Sequence, residues 1–524
     1  FKIIISMINL TKNKINNTNL LYVIIITIFS FFINFYYSSL GSFPIDTFLH
    51  YDSSSRILNG ELPVRDFWVV SGLTVDFIQA FFFKIFGVNW YAYVIHSSLF
   101  NCLISLIVYF FFLEIKLGKL KALILSLSFA TLSYTISGTP FVDLHATFLL
   151  LIPTLLIIKN LNNKKNYIWY LIIALLFLSF FSKQVPAAYA FLIYSSILIP
   201  YFFHKKNYNR IFSITIAIFT FLVLIYFLLQ FLNIDQRFFY IQYFDYPKSI
   251  GSIRLDNLEV NFVSFINKFK FIIIPFLILI FINLKQKKKL ESKISFLIFS
   301  SFILVIIFHQ LMTKNQTYIY FLVPLLFGLL DSEIKLSQMA YKKYISIFLI
   351  LILTFITVKY HLRFNENRKF HELTKAELLD VVKADMIHET LKGLKWKNPH
   401  YKGLTIEEIT ILKKAQKKLN NLSYEKIMLI THYQFLDSIV KKKLHSPNRT
   451  FTTDGASIPP PKSKYFEVYK KFLLDKIYHS KTKKIFFFKH ENISRNVVLN
   501  YISKECYVMT ESDIFEIYQL SCLK

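Results

Sequence analysis

Long apolar segments alternate with short polar turns over the first two thirds of the chain. A helix needs roughly 20 consecutive apolar residues to cross a bilayer. Segments near that length cover residues 20–40, 90–113, 122–137, 144–158, 167–181, 186–203, 211–232, 271–284, 294–312, 318–330 and 344–358. The pattern predicts a polytopic α-helical membrane protein with about 11 transmembrane helices.

The turns between these segments predict the orientation of the chain. Lys12 and Lys14 precede the first segment, so the N-terminal residues 1–19 are expected to be cytoplasmic. In an arrangement of 11 spans, every strongly basic turn then also falls on the cytoplasmic side, as the positive-inside rule requires. The first outer loop, residues 41–89, and the end of the chain are therefore expected outside.

The chain becomes polar from about Lys359. Helical patterns cover residues 372–392 and 405–422, and short apolar runs typical of strands cover residues 427–430, 485–488 and 514–520. This alternation predicts a C-terminal extracytoplasmic α/β domain over residues 359–524. The first predicted strand leads into a segment without a glycine-rich phosphate loop, so we expect no nucleotide site there.

Composition supports the membrane assignment. The chain has 524 residues, of which 54% are hydrophobic, and its net charge is +29. Cytoplasmic lysines and the Ile, Lys, Asn and Phe usage of an AT-rich genome account for this charge, so we expect no nucleic acid partner. The chain starts with Phe1, and Met7 is the expected true start. The first segment lacks a small-residue cleavage site and is expected to be an anchor.

Three cysteines are present. Cys102 lies in an apolar segment and is expected to be a packing residue. Cys506 and Cys522 have no metal-site spacing, and the sequence leaves open whether they form a disulfide or stay as free thiols.

The most polar outer segment runs from Asp46 to Gly87. Charges beside a bilayer are costly, so a cluster of both signs indicates a functional site. A carboxylate can accept a proton from an attacking hydroxyl, and arginine or lysine can hold a phosphate. The candidates, all expected at the outer face, are Asp46, Asp52, Arg56, Arg65, Asp66, Asp143, His145, Lys183 and Gln184.

Several motifs resemble those of one enzyme family. Asp46 followed by RILNGELP from Arg56, then RDFW from Arg65, is similar to the first outer loop of GT-C membrane glycosyltransferases. The most similar members are bacterial enzymes of the aminoarabinose, protein O-mannosyl and rhizobial core-sugar transferase type. Four further segments are similar to other motifs of the family: FFFKIFG, TPFVDLHATFLL, FFSKQVPAA and KNQTYIYFLVPLLFGLL. The resemblance covers about residues 20–335.

The resemblance implies an inverting glycosyltransferase in the bacterial cytoplasmic (inner) membrane, with residues 20–358 as its GT-C-like catalytic domain and a periplasmic C-terminal domain. Its donor would be a polyprenyl-phosphate-linked sugar and its acceptor a lipid, glycan or protein of unknown identity. Asp46 would be the catalytic base, although Thr47 stands where the family often has Glu.

The other site residues take further roles by the same resemblance. Asp52 and Asp143 would support the acceptor or a metal, and Arg56 and Lys183 would bind the carrier phosphate. A divalent metal is present in some relatives and absent from others, and no ligand spacing here decides between them.

Structural interpretations stand beside these roles. Asp46 and Asp143 are also good helix caps. Asp52 and Arg56 have the spacing of an ion pair along one helix, and Lys183 has the position of an interfacial anchor. Arg65 and Asp66 are expected to shape their loop, and His145 to be structural.

Two other functions remain as alternatives. A transporter or flippase of lipid-linked saccharides should show polar residues at mid-span and internal repeats, and the sequence shows neither. A polysaccharide polymerase or ligase should carry an arginine-rich late loop, whereas residues 235–270 contain two arginines.

Overall fold

The computed structural model describes residues 17–134, 138–161, 165–313, 319–336, 341–366, 373, 379–422, 426–440, 442–452, 455 and 457–522. The chain folds as two compact units. We call Phe1–Ser39, Val94–Val223 and Asn257–Thr374 the membrane-helix unit, and Leu40–Tyr93, Leu224–Asp256 and Lys375–Lys524 the polar unit.

Helices dominate the first two thirds of the chain. In chain order they are α1 (Asn17–Tyr37), α2 (Pro44–Thr47), α3 (Leu49–Leu58), α4 (Leu73–Phe86), α5 (Trp90–Glu114), α6 (Lys119–Ser133), α7 (Val142–Asn160), α8 (Tyr167–Ser182), α9 (Gln184–His204), α10 (Tyr208–Phe231), α11 (Gln236–Tyr240), α12 (Tyr246–Asp256), α13 (Phe262–Lys285), α14 (Leu290–Thr313), α15 (Leu322–Leu336) and α16 (Lys342–His361). Every apolar segment predicted to span the membrane overlaps one of these helices.

Eight helices within the described ranges are long and apolar enough to cross a membrane: α1, α5, α7, α9, α10, α13, α14 and α16. Helix α8 is apolar but shorter, and α6 and α15 have 15 residues each. Helices suit a bilayer because they satisfy their backbone hydrogen bonds within one segment. This is the architecture of a polytopic helical membrane protein.

The turn before α7 is held by a close approach of two backbones in the membrane-helix unit. Gly138 has φ +71, and a Cβ atom there would lie 2.6 Å from the backbone nitrogen of Ser38. Its carbonyl oxygen accepts hydrogen bonds from Asn34 Nδ2 (3.0 Å) and Ser97 Oγ (2.6 Å). Only glycine tolerates this conformation at such a distance. The turn thereby determines where α7, which carries Asp143, begins.

The polar unit contains the strands. They are β1 (Val382–Lys383), β2 (Lys395–Trp396), β3 (Ile427–Ile430), β4 (Lys484–Phe488), β5 (Tyr507–Glu511) and β6 (Phe515–Leu520). The larger sheet has the order β3-β4-β6-β5, with β3 and β4 parallel and the other pairs antiparallel. Four more helices complete this part: α17 (Thr405–Asn421), α18 (Leu436–Ile439), α19 (Phe466–Ser480) and α20 (Asn496–Leu499). The helix at 405–422 and the strands at 427–430, 485–488 and 514–520 are confirmed.

The helix predicted over residues 372–392 is wrong where the structure describes this segment. Residues 379–392 contain β1 and two 3₁₀ turns instead. Strand β1 pairs with β2, and the Ala384 amide donates to the Leu394 carbonyl (2.8 Å). Pairing with residues further along the chain therefore overrides the local helical pattern. At the end of the chain, Cys506 and Cys522 form a disulfide.

The C-terminal residues of the polar unit do not form a unit of their own. The segment 443–449 binds the first loop through three backbone carbonyls: Lys443 Nζ donates to Asn59 O (2.8 Å), Arg56 Nη2 to Ser446 O (2.7 Å), and the Trp68 amide to Pro447 O (2.7 Å). The buried Trp68 ring also packs edge-on against Tyr469 and Phe472 of α19. The first loop and the C-terminal segment therefore share one core.

Candidate functional site

Asp46 lies nine positions after the end of α1, on α2, a single helical turn that starts at Pro44. Proline suits the first helical position because the helix needs no donor there. Asp46 is half-buried. Its neighbour Thr47 is buried. Thr47 Oγ1 accepts a hydrogen bond from the Phe43 amide (2.9 Å), and the Thr47 carbonyl accepts one from the Tyr93 hydroxyl (2.9 Å). Thr47 therefore holds the short helix in place.

Backbone bonds from the C-terminal part of the polar unit also support α2. The amides of Gly41 and Ser42 donate to the carbonyls of Lys395 and Lys397, both at 2.9 Å. These bonds restrain the chain just before Asp46. The predicted base is therefore carried by a folded element and not by an open loop.

Asp52 and Arg56 lie one turn apart on α3, and both are buried. Arg56 Nε donates to Glu61 Oε2 at 2.6 Å, while its Nη1 lies 3.7 Å from Asp52 Oδ2. The guanidinium also stacks over the Phe67 ring at 4.0 Å. The ion pair expected from the spacing of Asp52 and Arg56 is present, but Glu61 is the closer partner.

Burial and charge move the pKa values of these carboxyls in opposite directions. Burial raises the pKa of Asp52 well above its usual value, and Arg56 only partly offsets this. Burial also acts to raise the pKa of Glu61, but the charges of Arg56 and Lys476 outweigh it and lower that pKa to about 2. Glu61 accepts a bond from Lys476 Nζ at 3.1 Å. Glu61 is thus the ionised centre of this network.

Arg56 lines a polar cavity of about 310 Å³ together with Asn59, Glu61, Asp437 and Lys443. The guanidinium itself is only 2% exposed, and its hydrogen bonds go to Glu61 and Ser446. Its predicted contact with a carrier phosphate stays a prediction, and its observed bonds hold the loop together.

Arg65 and Asp66 bind the backbone of their own loop. Asp66 Oδ2 accepts the Leu62 amide (2.7 Å) and Arg65 Nη2 (2.7 Å). Arg65 also donates to the carbonyls of Gly60 (3.3 Å) and Leu232 (3.1 Å). These bonds close the turn that follows α3.

A second buried array in the polar unit centres on Asp76 of α4. His50 Nδ1 donates to Asp76 Oδ1 at 2.6 Å, and Arg449 Nη1 donates to Asp76 Oδ2 at 2.8 Å. Arg449 Nη2 also donates to the Ser71 carbonyl at 2.5 Å. A carboxylate that accepts a hydrogen bond from one ring nitrogen of a histidine fixes the orientation of that ring. His50 follows Asp46 by four positions, so Asp76 and Arg449 orient a ring near the predicted base along the chain.

In the membrane-helix unit, one carboxylate oxygen accepts hydrogen bonds from a lysine and a histidine side chain. Asp143, in the first turn of α7, is buried, and its Oδ1 accepts Lys183 Nζ at 2.5 Å and His309 Nε2 at 2.6 Å. Lys183 lies between α8 and α9, and its side chain is 21% exposed. Two residues predicted from separate motifs, Asp143 and Lys183, are therefore in direct contact.

His145 has neighbours on several helices. Its Nε2 lies 3.2 Å from His96 Nε2, its Nδ1 lies 3.1 Å from the Phe141 carbonyl, and its ring stacks on Phe100 at 4.5 Å. The ring is buried, and these contacts join α5 to α7. They are the packing contacts expected of a structural histidine.

A further polar cluster lies at the carboxyl ends of the parallel strands β3 and β4. Glu491 accepts hydrogen bonds from the Thr431 hydroxyl and from the His432 amide (2.8 Å). Burial raises the pKa of Glu491 to about 8 and lowers the pKa of His432 to about 4. Both side chains are therefore largely uncharged at pH 7.

No group of three histidine, cysteine, aspartate or glutamate side chains stands as it would around a metal ion in the described ranges. The structure places Asp46, Asp52, Arg56, Arg65 and Asp66 in the polar unit, and Asp143 and Lys183 in the membrane-helix unit.

Sequence reasoning missed five residues of these networks: His50, Asp76, His309, Arg449 and Lys476. One signal was present for His309, because a histidine inside an apolar span is costly unless it has a partner. Arg449, which binds Asp76, and Lys476, which binds Glu61, lie hundreds of positions away from them, and no local pattern identifies these two partners.

No protein-family model matches this chain, and no curated protein matches it.

Proposed function

We propose that this chain is an inverting membrane glycosyltransferase of the cell envelope. It moves a hexose or pentose from a polyprenyl-phosphate carrier to a lipid, glycan or protein acceptor at the outer face of the bacterial cytoplasmic membrane. In this proposal residues 20–358 are the GT-C-like catalytic domain with about 11 spans, the N-terminus is cytoplasmic and the C-terminal residues are periplasmic.

The burial and hydrogen bonding of the carboxylates in the first loop support Asp46 as the base in this proposal. Asp52, Glu61 and Asp76 are buried, and Asp66 is bound to its own loop. Asp46 is half-buried on a short helix that several backbone bonds hold in place. A base needs both access to its substrate and a fixed position, and Asp46 combines the two.

The proposed reaction is a single displacement. Asp46 accepts the proton of the acceptor hydroxyl as the oxygen attacks the anomeric carbon. The new carbon–oxygen bond forms as the bond from that carbon to the carrier phosphate breaks, so the configuration inverts. The phosphate leaves with an added negative charge, which a cation stabilises.

By the family resemblance, Lys183 is the cation proposed for this step. Its ammonium group is bound to Asp143 but is partly exposed, whereas the Arg56 guanidinium is almost fully enclosed. A lysine stem carries several rotatable bonds, so Nζ can turn towards a phosphate while Asp143 still holds it near. Asp143 and His309 are positioning residues in this proposal.

The test is sugar transfer from a panel of polyprenyl-phosphate sugars in proteoliposomes that contain the full chain. Release of free polyprenyl phosphate is the readout, so the acceptor need not be known beforehand if a membrane extract supplies it. Asp46→Asn is expected to abolish release, while Asp475→Asn, a change at an exposed carboxylate of α19, is expected to leave it unchanged.

Three outcomes separate the alternatives. Full activity of Asp46→Asn excludes Asp46 as the base. Movement of intact donor across the bilayer without release supports the flippase alternative. Release of polyprenyl pyrophosphate from pyrophosphate-linked glycans supports a polymerase or ligase. A parallel assay with a chelator reports whether a divalent metal is needed.

A further inference from the structure

An apolar cavity of about 320 Å³ lies among α7, α8, α9 and α10 of the membrane-helix unit. Ligand pockets in proteins start at about 300 Å³. The walls include Ile157, Trp169, Ser195, Phe202 and Ile214, and nearly all the lining side chains are hydrophobic. A cavity with such walls does not hold ordered water, because it offers too few polar partners.

The cavity has one closed side and one open side. Trp169 and Ile172 of α8 are 1% exposed and form part of the buried core. Ile199 of α9 is 46% exposed, and Thr215 of α10 is exposed as well. Both α9 and α10 are long and apolar enough to cross a membrane. The open side therefore faces the hydrocarbon of a bilayer, and the molecules available there are lipids.

Some polar groups around the cavity bond within the protein, whereas the buried Trp169 Nε1 on the cavity wall has no hydrogen-bond partner. The hydroxyls of Thr154 and Tyr194 are 2.7 Å apart. Arg210 donates to the Leu161 carbonyl, and its guanidinium lies over the rings of Trp169 (5.7 Å) and Phe202 (5.1 Å). Because the other lining side chains are almost all apolar, the walls favour an alkyl chain as the occupant.

The turn between α9 and α10 indicates which lipid supplies the chain. It contains Lys205 and Lys206, directly after Phe202, which lines the cavity. Lys205 pairs with Glu291 at 2.6 Å, and Lys206 is exposed. Lysines at the end of a membrane helix attract lipid phosphates. Ile157 is also about 21 Å along α7 from Asp143, at 1.5 Å per residue, so this cavity is separate from the Asp143 cluster.

We propose that this cavity holds one acyl chain of a membrane phospholipid, whose phosphate lies beside Lys206. This binding site does not depend on the proposed transferase activity. A chain bound here fills the gap among α7–α10 and stabilises their packing, because an empty apolar cavity loses dispersion contacts along its walls.

The test uses the full chain in nanodiscs that contain phosphatidylglycerol with a photoactivatable diazirine in one acyl chain. Mass spectrometry of the irradiated protein identifies the labelled peptides. Label is expected on the cavity-lining parts of α8, α9 and α10. Ser195→Trp fills the cavity and is expected to remove this label. Ser196→Trp, at the adjacent exposed serine outside the lining, is expected to retain it.

Two further arms keep the proposal testable if Ser195→Trp does not fold. Lys206→Glu is expected to reduce labelling of the wild-type cavity, because it repels the lipid phosphate. An excess of unlabelled phosphatidylglycerol is expected to displace the label, and polyprenyl phosphate is not. Equal labelling of Ser195→Trp and Ser196→Trp overturns the site. Displacement of the label by polyprenyl phosphate alone overturns the phospholipid as the occupant. Labelling of Lys206→Glu at the wild-type level overturns the contact between Lys206 and the lipid phosphate.

Discussion

Arg449 and Asp76 form a buried ion pair in the polar unit, with Nη1 2.8 Å from Oδ2, although 373 positions separate them along the chain. The same carboxylate binds His50 through its other oxygen. Arg449 thus connects the C-terminal part of the unit to the orientation of a histidine in the first loop.

Removal of this arginine is expected to destabilise the polar unit strongly. Arg449→Ala leaves Asp76 buried without its cationic partner, which costs about 3–5 kcal/mol. The measurement is the free energy of unfolding of the purified protein in detergent. The matched control is Arg237→Ala at an exposed arginine, where a change within about 0.5 kcal/mol is expected. Equal effects of the two variants would show that the pair contributes nothing specific.

The network around Glu61 is expected to make the protein acid-sensitive. The pKa of Glu61 falls from 4.5 to about 2 because Arg56 and Lys476 outweigh the effect of burial. A folded-state pKa below the unfolded value contributes stability above about pH 4.5, which is lost as the pH falls towards 2.

Glu61→Gln removes this contribution. The variant is expected to be less stable than the wild type at pH 7, by about 3 kcal/mol at 1.36 kcal/mol per pKa unit. The difference is expected to shrink as the pH falls from 4.5 to about 2. Thermal unfolding followed across this pH range measures it. A constant difference at every pH would contradict the assigned charge state.

Glu491 is expected to have the opposite pH dependence. Burial raises its pKa from 4.5 to about 8, so folding favours the protonated form. A carboxyl with a raised pKa costs stability as the pH rises from 4.5 through 8. Glu491→Gln is therefore expected to gain stability over the wild type with increasing pH, and to match it below about pH 4.5. Glu467→Gln, at an exposed position on α19, serves as the control and should show no such trend.

The contact between Asp143 and Lys183 is expected to appear as a coupling in a double-mutant cycle. Asp143→Asn and Lys183→Gln each break the 2.5 Å contact, so their effects on the free energy of unfolding should not add. Contacting residues of one network show coupling energies of about 0.5–3 kcal/mol. A cycle between Asp143→Asn and Lys206→Gln is the control, and additivity is expected there. Additivity in the first cycle as well would mean that the two side chains do not interact.

The periodic and local features of the chain were readable from its sequence. The apolar segments overlap helices because a stretch of that length can satisfy its backbone within the bilayer only as a helix. The strands at β3, β4 and β6 and helix α17 also follow from local patterns. The ion pair between Asp52 and Arg56 could also be predicted, since residues four positions apart share one face of a helix.

Pairing between residues far apart in the chain could not be predicted from these local patterns. Residues 379–392 carry a helical pattern but form β1 and two 3₁₀ turns, because β2 and Leu394 supply their backbone partners. Asp143 and Lys183 were each predicted from their own motif, yet their shared oxygen and the role of His309 emerge only from packing.

The sequence by itself therefore determined the membrane-helix character of the chain, the alternation of helix and strand near its end, and the charged first loop. Tertiary structure alone decided which of those charges are buried and which stay partly exposed. The physical reason is that burying a charge requires a partner. For Glu61 and Asp76 the partners Lys476 and Arg449 come from the far end of the chain.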